Sequence, residues 1–279
     1  MTSPFATRFA AARATTGPLV FGLDPAADLL ATWGLGDTPD GLDRFADIVL
    51  AAIAARPVSL VKPQSAFYER HGWRGIRTLQ RLISGAREAG VLVILDIKRG
   101  DVGSTNDAYA EAYLGKGAPM AADAITVHPY LGLAAMGSFV SRADEAGCCL
   151  LVVTRSSNSE GRAIQAATAG DGTVEQILLR DIGELNARLS PGGIGPIGAV
   201  VSPTHLRPEL DLAAANCLFL APGVGAQGAT PADVAQVFAS CPDRVMPSAS
   251  RSLLAAGPDP SRLQDAAATL AAEFRAVVP

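Results

Sequence analysis

Charged residues at intervals of two and three follow one apolar run of the sequence. Asp96, Lys98 and Asp101 come after residues 91–95, a short run rich in β-branched residues that is typical of a buried strand. Side chains alternate along a strand, so Asp96 and Lys98 point the same way, and we expect the turn at 99–100 to bring Asp101 back toward them. An ammonium between two carboxylates stays protonated, which makes Lys98 a candidate proton donor rather than an amine nucleophile. A purely structural ion-pair network is the alternative interpretation.

Other predicted strands also end in charged or polar residues, which local strand propensity does not select. Eight short apolar runs are separated by helical segments: 19–23, 58–61, 91–95, 124–127, 149–153, 198–201, 218–220 and 244–246. Alternating β and α elements in this number predict an α/β fold, a single parallel eight-stranded (β/α)8 TIM barrel over residues 1–279, with its chemistry at the carboxyl ends of the strands. A doubly wound open sheet is the alternative, but no GxGxxG motif follows the first run.

Composition excludes several classes of function. The chain has 279 residues, 49% of them hydrophobic and 5% aromatic, which suits one large aliphatic core. A net charge of -4 without runs of like charge gives no electrostatic footprint for nucleic acid or an anionic membrane. The four cysteines lack metal-ligand spacing, and no segment approaches 18 uninterrupted apolar residues. We therefore expect a cytoplasmic protein with reduced, mostly buried thiols and no membrane anchor.

Two turns near the end of the chain predict a phosphate site. Residues 223–228 are rich in glycine and follow the seventh run, and residues 248–252 follow the eighth. The loops after strands seven and eight form the common phosphate site of (β/α)8 barrels, because small residues let backbone N–H groups approach the anion. Arg251 could add a bidentate contact. A glycine-rich turn that merely starts a helix is the alternative.

One segment does not fit the rhythm of the barrel. Residues 156–173 form a long stretch rich in glycine, serine, asparagine and alanine after the fifth run. Long loops over an active face are often lids. A tolerated insertion explains the segment nearly as well.

The spacing Asp96-x-Lys98-x-x-Asp101-x-x-x-Thr105 resembles the signature of the orotidine 5'-phosphate decarboxylases, in particular their longer bacterial, mycobacterial-type branch. Further segments occur in the order that this family uses: 22–25, 61–64, 157–158, 222–228 and 250–251. The chain departs from the family pattern in its loops, with Gly103 where many members have proline, Ser202-Pro203 after strand six, and Ser250 where glycine is common.

The resemblance implies cofactor-independent decarboxylation of orotidine 5'-phosphate to uridine 5'-phosphate, the last step of pyrimidine nucleotide synthesis, with no metal. Lys98 would protonate C6 of the pyrimidine as carbon dioxide departs, and its charge would stabilise the developing carbanion. Asp96 would lie against the substrate carboxylate. Lys62 and Asp101 would complete an alternating row of charges that holds Lys98 in place.

The resemblance also implies the contacts with substrate and a homodimer. The implied substrate-binding residues are Asp24, Lys62, Thr105, Ser157, Asn158, Gly225, Gln227 and Arg251. Asp24, Lys62 and Asp101 would reach ribose hydroxyls, and Ser157 would bond the pyrimidine edge. Gln227 and Arg251 would bind the phosphate. Family members are dimers, so Asp101 and Thr105 would serve the partner's site.

Other interpretations of single residues and of the whole chain remain open at this stage. Asp24 could cap the following helix, Lys62 could be a surface lysine with a buried stem, and His128 reads best as a structural histidine. The enzyme alternative is a magnesium-dependent sugar-phosphate lyase or aldolase with the same barrel. The non-enzyme alternative is a nucleotide-phosphate-binding protein, which would have no use for Asp96, Lys98 and Asp101.

Overall fold

A closed barrel of eight parallel strands forms the centre of the molecule. The computed structural model describes residues 3–204 and 210–278. The barrel strands are β1 (Val20–Leu23), β2 (Leu60–Pro63), β3 (Leu92–Arg99), β4 (Ala124–Val127), β5 (Cys149–Arg155), β6 (Ile197–Val201), β7 (Phe219–Pro222) and β8 (Val245–Ala249). They pair in chain order, and β8 pairs with β1 to close the ring. The predicted (β/α)8 architecture is confirmed, and the open-sheet alternative is wrong.

Helices lie between most successive strands of the described residues and cover the outside of the barrel. They are α1 (Phe5–Thr16), α2 (Ala27–Thr32), α3 (Pro39–Ala54), α4 (Ala66–Glu69), α5 (Gly72–Glu88), α6 (Gly103–Tyr113), α7 (Gly137–Ala146), α8 (Arg162–Gln165), α9 (Val174–Leu189), α10 (Pro231–Val237), α11 (Arg251–Leu254) and α12 (Pro260–Val277). The segment at 156–173 contains α8 and a two-stranded hairpin, Thr168–Ala169 with Gly172–Thr173. None of the helices described for residues 3–204 and 210–278 has the length and apolar character needed to span a lipid bilayer.

The inside of the barrel is apolar toward the amino ends of the strands. Alternation along each strand places every second side chain inside, where Val20, Leu60, Ile94 and Leu151 pack in one buried cluster. Helix α1 closes this end of the barrel, because its buried Phe5 and Phe9 side chains belong to the same cluster. The opposite end, at the carboxyl ends of the strands, is therefore the one that can open to a ligand.

The strands continue further than the apolar runs that predicted them. β3 extends through Asp96 and Lys98 to Arg99, and β5 extends to Arg155. The backbone hydrogen bonds between strands do not require apolar side chains, so a strand can continue through charged residues whose charges are paired at the mouth of the barrel. These charged residues of β3 and β5 are therefore part of the strands rather than of the loops after them. All four cysteines are buried and free, as predicted.

Candidate active site

A cavity of about 250 Å³ opens at the carboxyl ends of the strands. The predicted site residues that line it are Asp24, Lys62, Asp96, Lys98, Ser157, Gln227 and Arg251. Four others do not line it: Asp101, Thr105, Asn158 and Gly225. The cavity thus brings together residues from β2 and β3 and from the segments that follow β1, β5, β7 and β8, which are far apart in the sequence.

Alternation along the strands gives the cavity a polar wall. Lys62 stands two residues after the inward Leu60, Asp96 two after Ile94, and Thr126 two after Ala124. These polar side chains are consequently the next inward layer above the apolar interior.

The facing wall of the cavity is apolar. It is formed by Val153, Val200 and Leu220 from β5, β6 and β7. A flat, partly apolar ring fits between two such walls.

Asp96 is the centre of the polar wall. Its buried carboxylate accepts hydrogen bonds from the Lys62 ammonium at 2.9 Å and the Gln64 amide at 3.2 Å through Oδ2. Through Oδ1 it accepts from the Lys98 ammonium at 2.5 Å and the Thr126 hydroxyl at 2.7 Å. Four donors on one carboxylate fix its position and leave its charge between two ammonium groups.

Asp96 and Lys62 each stabilise the charged form of the other. Burial alone would raise the pKa of Asp96, but attraction to Lys62 and Lys98 outweighs it and holds that pKa far below its usual range. Burial alone would lower the pKa of Lys62, but attraction to Asp96 and Asp24 outweighs it and leaves that pKa raised. Asp96 and Lys62 are therefore both charged at neutral pH.

Lys98 occupies an unusual backbone position in β3. The register between β3 and β4 shifts between Leu95 and Arg99, and Lys98 lies in this irregularity with φ +46°. A left-handed conformation is uncommon for lysine and persists where surrounding structure enforces it. Its side chain is 41% exposed and lines the cavity, so the ammonium can reach a ligand while it contacts Asp96.

Thr126 and Gln64 are site residues that the sequence reasoning missed. The Thr126 hydroxyl donates to Asp96 and accepts the Lys98 backbone N–H at 3.1 Å, so one buried side chain secures both residues. Alternation along β4 carried a signal for Thr126, since it faces the same way as the inward Ala124. Gln64 is bridged to Asp96 through its backbone as well as its side chain.

Replacing Thr126 with valine tests this positioning role. Valine keeps the volume but removes the donor to Asp96 and the acceptor for the Lys98 backbone, so we expect kcat to fall by about 10- to 100-fold while KM changes little. Steady-state kinetics of Thr126→Val and Thr126→Ser measure this. Serine keeps the hydroxyl and should recover most of kcat. Wild-type kcat in the valine variant would contradict the assignment.

The other end of the cavity carries the predicted phosphate turns. Gln227, Ser250 and Arg251 line it. Gly223 has φ +100°, and a Cβ there would lie 2.7 Å from the Thr204 side chain and 3.1 Å from Gln227 Oε1. Only glycine therefore allows this turn to approach the cavity so closely.

Gly225 helps to form the glycine-rich turn after β7. Its backbone N–H donates to the Ala229 carbonyl at 2.9 Å, within the turn itself. With φ +75°, Gly225 shapes the turn instead of lining the cavity. A direct contact between Gly225 and a ligand stays a prediction.

Ser157 and Asn158, which are adjacent in the sequence, separate in space. Ser157 lines the cavity, whereas the Asn158 amide donates to Glu160 at 3.0 Å and its oxygen accepts from Ser156 at 2.7 Å. Asn158 thus orders the start of the 156–173 segment. A direct contact between Asn158 and the ligand stays a prediction.

Asp101 does not fold back to Lys98 within the chain. Its carboxylate accepts from the Val102 N–H at 2.8 Å, and its backbone N–H donates to Asn106. Thr105 is exposed on α6. The chain enters α6 at Gly103, whose φ of +53° is a left-handed conformation that glycine adopts readily. A role for Asp101 beside Lys98 stays a prediction.

Two polar atoms at the cavity have no hydrogen-bond partner among the described residues. They are Asp24 Oδ1 and Ser250 Oγ, and both are buried. Asp24 does not cap a helix, because the residue before α2 is Ala26. A buried polar atom without a partner is costly, so these two atoms are suited to a polar ligand.

Comparisons with known proteins agree with this geometry. The sequence profile of the Orotidine 5'-phosphate decarboxylase / HUMPS family matches residues 18–265. The orotidine 5'-phosphate decarboxylase of Salinispora arenicola is 48% identical over 275 residues, which cover 98% of each chain. That of Streptomyces coelicolor is 46% identical over 276 residues, 99% of this chain and 98% of the relative.

A solved structure agrees as well. The crystal structure of a protein assigned as orotidine 5'-phosphate decarboxylase from Streptomyces avermitilis superposes with a TM-score of 0.94. It is 44% identical in sequence, and the match covers 99% of this chain and 96% of that one. The chain belongs to the orotidine 5'-phosphate decarboxylase / HUMPS family.

Proposed function

We propose that the chain is an enzyme that decarboxylates orotidine 5'-phosphate to uridine 5'-phosphate and carbon dioxide in pyrimidine biosynthesis. The observation that carries this is the row Lys62, Asp96 and Lys98 at one end of a cavity whose other end presents Gln227 and Arg251. The pyrimidine ring would lie between the polar wall and the apolar wall, with the phosphate at the glycine-rich turns. We also propose that residues 1–279 act as one barrel domain.

The reaction follows from these positions. The bond between C6 and the carboxylate breaks, carbon dioxide leaves, and the electron pair stays on C6. The Lys98 ammonium stabilises that charge and then donates its proton to C6. Asp96 would lie against the departing carboxylate, and it accepts hydrogen bonds from both ammonium groups.

The remaining contacts bind the ends of the substrate. Asp24 and Lys62 would bond the ribose hydroxyls, Ser157 the pyrimidine edge, and Arg251 with Gln227 the phosphate. Binding energy gained at the remote phosphate is then available at the reacting carbon.

Turnover of orotidine 5'-phosphate with and without chelator tests the reaction. We expect loss of orotate absorbance at the same rate in EDTA, because the proposed chemistry needs only protein side chains. Loss of activity in EDTA would favour the magnesium-dependent lyase or aldolase. Binding of uridine 5'-phosphate without any turnover would favour a nucleotide-phosphate-binding protein.

We propose further that the chain forms a homodimer in which Asp101 and Thr105 complete the partner's site. Neither lines the cavity of its own chain. Three exposed large apolar side chains, Val102, Tyr130 and Leu131, lie on the neighbouring loops after β3 and β4. Such a patch beside a site is typical of a surface that another chain covers.

Mixing two inactive variants tests the shared site. Lys98→Ala removes the proton donor from its own chain, and Asp101→Asn would impair the partner's site. Random re-pairing of the two should restore up to about a quarter of wild-type activity, because half the dimers are mixed and one of their two sites is intact. Activity that stays at the level of the separate variants would contradict sharing, as would a monomer in light scattering.

A further inference from the structure

A buried ion pair lies directly beneath the loop that would read the pyrimidine, and the proposed chemistry does not use it. Arg155 is the last residue of β5, and Glu175 lies in the first turn of α9. Arg155 Nε donates to Glu175 Oε2 at 2.8 Å, and Arg155 Nη2 donates to Oε1 at 2.7 Å. Their side chains are only 6% and 5% exposed. This bidentate geometry fixes both partners in direction as well as distance.

The pair joins the two ends of the 156–173 segment. The segment leaves the barrel immediately after Arg155 and returns at Thr173, which caps α9 in a reciprocal arrangement with Gln176. The Arg155 carbonyl also accepts the Ser202 N–H at 2.9 Å, which ties it to the end of β6. Both ends of the segment are therefore held at one point on the barrel.

The residues that follow Arg155 face the cavity. Ser156 and Ser157 both line it. Gln165, from within the segment, accepts the Ser156 N–H at 3.1 Å and donates to the Ser156 hydroxyl at 2.8 Å. The Thr204 hydroxyl donates to the Ser157 carbonyl at 3.3 Å. The pair below and Gln165 above thus hold this short stretch of backbone from two sides.

Stability alone does not account for such a pair. Removing two charges from water is costly, and apolar residues of similar volume stabilise a buried site equally well or better. What an ion pair adds is a fixed orientation of the backbone that carries it. Here that backbone leads directly into Ser156 and Ser157.

We infer that Arg155 and Glu175 are positioning residues for base recognition: they place Ser156 and Ser157 against the pyrimidine end of the ligand. The inference rests on the proposed function. It assigns the pair to the base and not to the phosphate, which the turns after β7 and β8 would bind.

Two ligands that differ only in the base distinguish a role of the ion pair at the base from a role at the phosphate. Uridine 5'-phosphate carries base, ribose and phosphate, whereas ribose 5-phosphate lacks the base. We expect Glu175→Gln to weaken binding of uridine 5'-phosphate about tenfold and to raise KM for orotidine 5'-phosphate by a similar factor. The affinity for ribose 5-phosphate should change by less than about twofold. Glu184→Gln, at an exposed position of the same helix, is the matched control and should leave both ligands unchanged.

Gln165→Ala provides a second variant at a partly exposed position, and it should show the same selective loss. If Glu175→Gln does not fold, Arg155→Lys takes its place, because lysine keeps the charge of the pair but cannot form the bidentate contact. Equal weakening of both ligands, or unchanged binding of uridine 5'-phosphate in a folded variant, would overturn the inference. Failure of the proposed function has a different result, since the wild-type protein would then not turn over orotidine 5'-phosphate at all.

Discussion

Replacing Lys98 with alanine is expected to lower turnover of orotidine 5'-phosphate by at least about a thousandfold and to leave binding of uridine 5'-phosphate within a few-fold. The variant loses the ammonium that lies 2.5 Å from Asp96, and with it both the stabilising charge and the proton. The product has no carboxylate and needs no proton, so its contacts at the ribose, pyrimidine edge and phosphate remain. Absorbance kinetics and calorimetric titration measure the two quantities.

The sequence offers a matched control for this experiment. The chain has three lysines, Lys62, Lys98 and Lys116, and Lys116 is exposed and outside the cavity. Lys116→Ala should behave as wild type in both assays. A Lys98→Ala variant with a near-normal rate would remove Lys98 from the chemistry. Parallel loss of turnover and product binding would instead indicate that the cavity had collapsed.

The barrel could be predicted from the sequence because its signal is repeated eight times. Each strand is a short apolar run, and the closed ring follows from their number and the helices between them. The ends of the strands were harder to predict, because the apolar pattern stops at Leu95 and Val153 while β3 and β5 continue into charged residues. A hydrophobic pattern cannot predict strand residues that are charged and paired at the mouth of the barrel.

Some residues of the candidate site could likewise be predicted from the sequence and others could not. Asp96, Lys98 and Lys62 could be found because charged residues at the ends of apolar strands are conspicuous. The contacts of Asp101 with Val102 and Asn106 could not be predicted, because the path of a turn depends on backbone angles such as the φ of +53° at Gly103, which the residue type permits but does not dictate. Thr126 has an ordinary strand residue type; alternation along β4 shows that it faces inward, but its contact with Asp96 is evident only in three dimensions.

Asp96→Asn should be nearly as damaging as the loss of Lys98, with a different kinetic pattern. We expect kcat to fall by at least about a thousandfold, because asparagine cannot hold the two ammonium groups or repel the substrate carboxylate. KM should not rise, because the variant also loses the repulsion that opposes substrate binding. Initial rates over a range of substrate concentrations measure both constants. A raised KM with unchanged kcat would assign Asp96 to binding alone.

The same substitution has a consequence for stability that depends on pH. Lys62 is buried, and loss of its charged partner is expected to lower the free energy of unfolding by about 3 kcal/mol at neutral pH. The folded pKa of Asp96 lies far below its unfolded value, so its contribution is complete above the unfolded pKa of about 4 and declines as the pH falls further. Urea unfolding of wild type and variant should therefore differ most at neutral pH and converge in acid. Asp107→Asn, at an exposed position of α6, is the control, and a constant difference at every pH would show that packing rather than charge accounts for the loss.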